Sequence, residues 1–171
     1  FSVAGTHRSK EVTRYRQGDI NILLNTEKEG LAHSSYVVHG VSAYAVCLKV
    51  EDAEATLERA RALGATPFEQ HGRPGELKLP AIRGVGGGVL FFIDGKSDLG
   101  RIWQIDFEAA GAPDGEGVGL AAIDHVAQTM NYEEMLTWVL FYTSIFRTRK
   151  LPMVDVVDPG GLVRSQVIES G

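Results

Sequence analysis

The chain has 171 residues, a formal charge of -5, 44% hydrophobic residues and 23% charged residues. This length holds one domain or two small ones, and the acidic balance excludes the basic footprint of a nucleic-acid partner. No apolar stretch approaches the ~18 residues that a membrane span needs, and the single cysteine excludes an internal disulfide framework and suits a reducing, cytoplasmic setting.

The first 25 residues read as strands, with Val12, Tyr15 and the run from Ile20 to Leu24 favouring β structure and Gln17-Gly18-Asp19 as a tight turn. The polar stretch from Thr26 to Gly40 reads as loop. Residues 43–50 form an apolar run expected to be a buried strand, with Cys47 as a buried, inert thiol. A helix follows over Glu51 to Leu63, with Ala53, Leu57, Ala60 and Leu63 at helical spacing, Asp52 as cap and Gly64 as stop. Residues 66–83 are interrupted by Pro and Gly. Val89 to Ile93 and Ile102 to Phe107 are expected as strands.

Residues 109–119 hold four glycines and a proline with almost nothing to bury, the composition of an interdomain linker. Beyond it the pattern restarts. Leu120 to Thr129 reads as a strand, and Asn131 with Glu134 is the signature of a capping box. The helix that follows is apolar nearly all round, which predicts that it is well covered. Lys150 to Val157 and Leu162 to Ile168 are expected as strands joined through the turn Asp158-Pro159-Gly160-Gly161. Ser42 to Leu57 overlays Ala121 to Leu136 without a gap, strand on strand and helix on helix. This is a repeat of pattern and not of residues, and it sets Val46 opposite His125.

Of the five histidines, His7, His33, His39 and His71 read as surface or loop residues. His125 differs, because an imidazole inside the apolar run Ile123-Asp124-His125-Val126 needs a hydrogen-bonding or metal partner to offset its desolvation. Pattern alone leaves both open: a core histidine satisfied by a hydrogen bond, or a metal ligand. Other chemistry is weaker. Glu133 and Glu134 suit the start of a helix, Ser165 has no histidine beside it, and Gly86-Gly87-Gly88 precedes a strand and not the helix a phosphate loop uses.

Four runs, Thr6-His7-Arg8-Ser9-Lys10, Arg16-Gln17-Gly18-Asp19-Ile20-Asn21, Glu76-Leu77-Lys78-Leu79-Pro80-Ala81-Ile82 and Ile123-Asp124-His125, together resemble bacterial 4-hydroxyphenylpyruvate dioxygenases. The resemblance implies an α+β fold of the vicinal-oxygen-chelate (glyoxalase-like) superfamily, with tandem βαβββ units forming open mixed-sheet barrels in two similar domains. Residues 1–108 would then be a first, metal-free domain without its leading strand and helix, 109–119 the linker, and 120–171 the start of a second, metal-binding domain.

The resemblance further implies that His125 is one of three ligands to Fe(II) or another divalent metal in a two-histidine, one-carboxylate set. The other two ligands are expected beyond residue 171, so that these residues alone make no complete site. Ser165 matches, more loosely, a serine that faces the substrate. The implied activity is a non-haem iron dioxygenase of aromatic catabolism acting on an aromatic 2-oxo acid or a related carboxylate, in a cytoplasmic homo-oligomer. Residues 138–142 and 158–166 are instead similar to the dioxygenase-like domain of bacterial 3-dehydroshikimate dehydratases, which gives a second reading. A binding or structural module that has lost its metal is a third.

Overall fold

A computed structural model of the chain describes residues 1–111 and 117–170. Strands β1 (Ser2–His7), β2 (Val12–Gln17) and β3 (Ile20–Asn25) form an antiparallel meander. Gln17 pairs directly with Ile20, so Gly18 and Asp19 are the whole of the expected turn. The register of β1 on β2 shifts between Val3 and Gly5. Gly5 is needed there, because a Cβ would come within 2.6 Å of the carbonyl oxygen of Glu108.

Residues 26–40, expected as loop, contain the helix α1 (Gly30–His39). It closes locally, with Ser34 Oγ donating to the Gly30 carbonyl at 2.9 Å and the Gly40 N–H to the Tyr36 carbonyl at 2.8 Å. None of its residues is buried, so it imposes no apolar periodicity on the sequence.

The second unit of structure matches expectation more closely. β4 (Ala45–Lys49) pairs parallel with β6 (Val89–Ile93), and β5 (Ala81–Arg83) pairs antiparallel with β6. A parallel pair needs a crossover, and α2 (Ala53–Ala62) supplies it. The Asp52 carboxylate caps α2 by accepting from the Ala55 N–H at 2.9 Å, and Gly64 ends it with φ +85°. Asp94, after β6, accepts from the backbone N–H of Ala53, Lys96 and Ser97 and so fixes the start of α2 against the sheet.

Ala53, Ala60, Ile82, Leu90 and Phe92 make the main core, with Phe92 and Ile82 fully buried. Burying a side chain the size of Ile82, Leu90 or Phe92 contributes about 1.5–3 kcal/mol of transfer free energy. Val46 and Leu48 turn to this core and Cys47 to the opposite face. The expectation of a buried Cys47 is therefore wrong: the residue is exposed, because strand alternation sends it away from the helix. Desolvation by its neighbours nonetheless pushes the thiol up to about 11, which keeps it protonated at neutral pH.

Ile102 to Phe107 is the next correction. Residues 98–101 form a 3-10 turn and Ile102–Ile105 a short helix, α3; only Phe107–Ala109 are strand, as β7 against β1. The cause is Ser97, whose hydroxyl accepts from the Leu99 N–H at 3.2 Å and caps the turn, so that Leu99 and Ile102 are buried at a spacing of one turn. Val12, Ile102 and Phe107 form a second, smaller core. The sheet order is β3-β2-β1-β7 on one side and β4-β6-β5 on the other; neither sheet closes into a barrel.

The linker expected over 109–119 lies partly outside the described residues, at 112–116. Leu120 to Thr129 forms no strand, because no ladder partner lies beside it among the described residues. α4 (Tyr132–Ile145) begins at the expected capping box, with the Glu134 carboxylate accepting from the Asn131 N–H at 3.4 Å. The overlay of the two units places Asp52 opposite Asn131, and both are N-caps.

α4 is covered on one side only. Ile145 is buried in the main core, where Phe141, Tyr142 and Phe146 also pack, but Tyr132, Leu136 and Leu140 are exposed. Good coverage was expected from its all-round apolar character; the described residues supply a neighbour for one face. The last strands are two nested pairs: β8 (Thr148–Lys150) with β11 (Ile168–Ser170), and β9 (Val154–Asp158) with β10 (Gly161–Ser165) across the expected Asp158-to-Gly161 turn. Each expected long strand is thus two short ones, broken at residues 151–153, where Pro152 removes a donor, and at 166–167.

Candidate functional site

His125 lies in the irregular stretch between the linker and α4. Its side chain is 79% exposed, and Asp124 Oδ2 lies 2.8 Å from its Nδ1. The partner that sequence demanded of this imidazole is therefore its own neighbour, and the core setting expected for it is not present. A carboxylate on Nδ1 engages one ring nitrogen and leaves Nε2 for another partner, the arrangement that a metal-binding histidine needs from its outer partner. Among the described residues no group of three His, Cys, Asp or Glu side chains comes together to hold a metal ion. The donor present here fits one ligand of a metal set and does not make a set alone.

No backbone hydrogen bond reaches residues 117–130 from the rest of the described chain. The hydrogen bond that does reach them comes from α4, where Tyr142 Oη donates to Gln128 Oε1 at 2.7 Å. The Tyr142 ring stacks on Phe146 and meets Phe141 edge-on, against the core that contains Phe92. A cleft of about 360 Å³ opens beside this point, between Val85 and Gly86 on one wall and Met130, Glu134 and Trp138 on the other. Neither His125 nor Ser165 lines it.

Ser165 ends β10, opposite Val154, with its residue exposed. Its neighbour Arg164 is more heavily engaged. The guanidinium forks onto Asp155 at 2.7 and 2.9 Å and donates to Tyr132 Oη at 2.8 Å, joining the β9–β10 hairpin to the first residue of α4. Its hydrogen bonds hold the Asp155 carboxyl below the usual range.

The other histidines stay apart. His33 and His39 lie on α1 and His71 in the loop before β5. His7 is half-buried, edge-on to Phe107 at 5.0 Å, and its Nδ1 accepts from the Ser9 N–H at 3.2 Å. Burial, with Lys10 nearby, lowers its pKa from the ordinary imidazole value.

Sequence reading missed Tyr132, Tyr142, Gln128 and Arg164. A hint was available for Tyr142 and Arg164, which stand inside runs already recognised; the contacts of Tyr132 and Gln128 are long-range and have no spacing signature.

Residues 1–108 match the family described as "Hydroxyphenylpyruvate dioxygenase, HPPD, N-terminal". The chain belongs to that family. Over 99% of its length it is 41% identical to a 3-dehydroshikimate dehydratase of Pseudomonas aeruginosa, covering 27% of that protein. Over 91% it is 37% identical to a 4-hydroxyphenylpyruvate dioxygenase of Pseudomonas sp. strain P.J. 874, covering 44% of that protein.

A solved structure described as a xylose isomerase-like TIM barrel/4-hydroxyphenylpyruvate dioxygenase fusion protein superposes with a TM-score of 0.78 at 38% identity, over 99% of this chain and 26% of that one. A 4-hydroxymandelate synthase from Streptomyces coelicolor shares the fold alone, with a TM-score of 0.71 at 15% identity over 98% of this chain and 51% of that one. The HPPD family member described here thus spans between about a quarter and a half of the relatives it matches, and it has the α+β, glyoxalase-like fold that its sequence implied. No helix is long and apolar enough to cross a membrane, among the described residues.

Proposed function

We infer that this chain is part of a 4-hydroxyphenylpyruvate dioxygenase-like, non-haem iron enzyme that acts on an aromatic 2-oxo acid or a related small carboxylate. The observation that carries the reading is the Asp124–His125 pair, in which a carboxylate at 2.8 Å engages Nδ1 and leaves Nε2 for a metal. A divalent iron held there would supply a Lewis acid for the reaction.

His125 holds the metal, together with ligands outside the described residues, and Ser165 at the end of β10 faces the substrate. Residues 1–108 form a metal-free first domain, 109–119 a linker and 120–171 the start of the metal-binding one; the family match over 1–108 supports this division. A cytoplasmic homo-oligomer, with neither nucleic acid nor membrane as partner, completes the reading. The single cysteine supports the reducing compartment and the charge of -5 the absence of a nucleic-acid partner.

The deciding experiment is metal analysis of the full-length gene product and its His125→Ala variant. Loss of stoichiometric iron with the fold intact is the expected result. Iron retained in the variant removes His125 from the ligand set, and wild-type protein that cannot be loaded with any divalent ion removes the metal-enzyme reading altogether.

A second reading has its own support. The 41% identity over 99% of the chain to a 3-dehydroshikimate dehydratase favours the dioxygenase-like domain of such a protein. A TIM-barrel domain in the same gene would decide for it.

A further inference from the structure

We propose that Tyr142 is the positioning residue for His125, holding the ligand-bearing segment to the fold through its hydrogen bond to Gln128. The proposal deepens the reading of His125 as a metal ligand and rests on it. A metal ligand must be held within a fraction of an ångström of its place, and that is usually done by secondary structure. Residues 120–129 have none, and no backbone hydrogen bond from the rest of the described chain reaches them.

What they have at one end is the Asn131 cap of α4 and, three residues from His125, a donor with little freedom of its own. Tyr142 sits in the last turns of α4 with its ring stacked on Phe146 at 6.3 Å and edge-on to Phe141 at 5.4 Å. All three pack on the core built around Phe92 and Ile82. Its hydroxyl is therefore fixed to the β4-β6-β5 sheet, and the 2.7 Å bond to Gln128 Oε1 transfers that fixity to the segment. Asp124 orients the ring of His125, but Asp124 is 96% exposed and moves with the segment. Ring orientation and segment placement thus have separate holders, and the second is Tyr142.

The test uses the full-length gene product, metal-free and titrated with cobalt(II). Tyr142→Phe removes the hydroxyl and keeps the ring in the core. Amide exchange over residues 123–129 in the metal-free protein should quicken about three- to tenfold, the value of one net hydrogen bond, while exchange in β4 and β6 stays unchanged. Cobalt affinity should weaken by a similar factor. Gln128→Leu should reproduce both effects without touching the core, and the double variant should be no worse than either single one.

Unchanged exchange over 123–129 overturns the proposal. So does quickened exchange with unchanged cobalt affinity in a protein whose His125→Ala variant has lost cobalt. If His125→Ala retains cobalt, it is the ligand reading that has failed, and the exchange data alone then decide whether Tyr142 holds the segment.

Discussion

Lys10 and Glu76 form an ion pair nearly out of water: Nζ lies 2.8 Å from Oε2, and the two side chains keep 13% and 7% of their exposure. The pair joins two of the runs that carried the family resemblance. Ser9 Oγ donates to the same carboxylate, as does the Arg73 N–H at 2.9 Å, and Arg73 returns a bond to the Ser9 carbonyl. One residue on, the Leu77 N–H donates to Asp106 at 3.1 Å. Leu77 and Leu79 then pack on both cores, so this strap of residues between α2 and β5 joins the two sheets.

Glu76→Ala leaves the largely buried Lys10 ammonium without its carboxylate, while Ser9 Oγ keeps His7 Nδ1 at 3.2 Å. Breaking one side of a buried pair costs about 3 kcal/mol or more, against less than about 1 kcal/mol for an exposed one. Urea unfolding of the variant should show the larger loss. A loss as small as that of an exposed pair would mean that Leu77 and Leu79 hold the strap without it.

The same carboxylate gives a pH dependence. Desolvation pushes its pKa up, but the hydrogen bonds from Lys10, Ser9 and the Arg73 N–H, with the Lys10 charge, together bring it down from 4.5 to about 2. A carboxyl depressed in the folded state stabilises it fully above its unfolded pKa and loses that contribution as pH falls through the folded one. The stability gap between wild type and Glu76→Gln should therefore be constant above about pH 4.5 and close towards about pH 2. A gap that stays constant down to the acid limit would contradict the assignment.

How much of this was legible follows from what kind of contact each feature needs. The α2 helix was readable because cap, apolar spacing and stop are all local, and Asp52, Ala53, Ala60 and Gly64 each do what the spacing implies. The meander was readable because the turn is two residues long. Ile102 to Ile105 misled because β-favouring residues were overruled by a serine cap five residues earlier, itself set by Asp94. α1 buries nothing and so left no pattern. At the site, His125 stood out by being polar in an apolar run, but the run proved to be exposed and its partner adjacent. The contacts of Tyr142 and Arg164 span 14 and 32 residues and are visible only in three dimensions.

Asp124→Asn tests the orienting half of the site. The carboxylate is exposed, so the fold should be unaffected, and outer partners of metal-binding histidines are typically worth about tenfold or more in metal affinity. Calorimetric titration of the metal-free, full-length protein should show a weakening of about that size, smaller than the loss in His125→Ala. Equal affinity in the variant would mean that the 2.8 Å contact with His125 has no part in metal binding.

Arg59 tests how the two repeated units are joined. It projects from α2, and its Nη2 and Nε donate to the Ser144 carbonyl at 2.7 and 3.0 Å, with Nε also 3.2 Å from the Ile145 carbonyl. These are among the last carbonyls of α4, which no residue of α4 itself can satisfy, and a guanidinium there also meets the negative end of the helix dipole. One helix of the repeat thus caps the other, at the point where Ile145 enters the main core. Arg59→Ala should cost about 1 kcal/mol, the net worth of an exposed charged hydrogen bond at a helix end. Arg59→Lys should recover the charge term but not the fork. Amide exchange in the last turn of α4 should rise in Arg59→Ala while β4 and β6 keep their protection. If stability falls with no local change in α4, Arg59 is acting through α2 and not through the joint between the units.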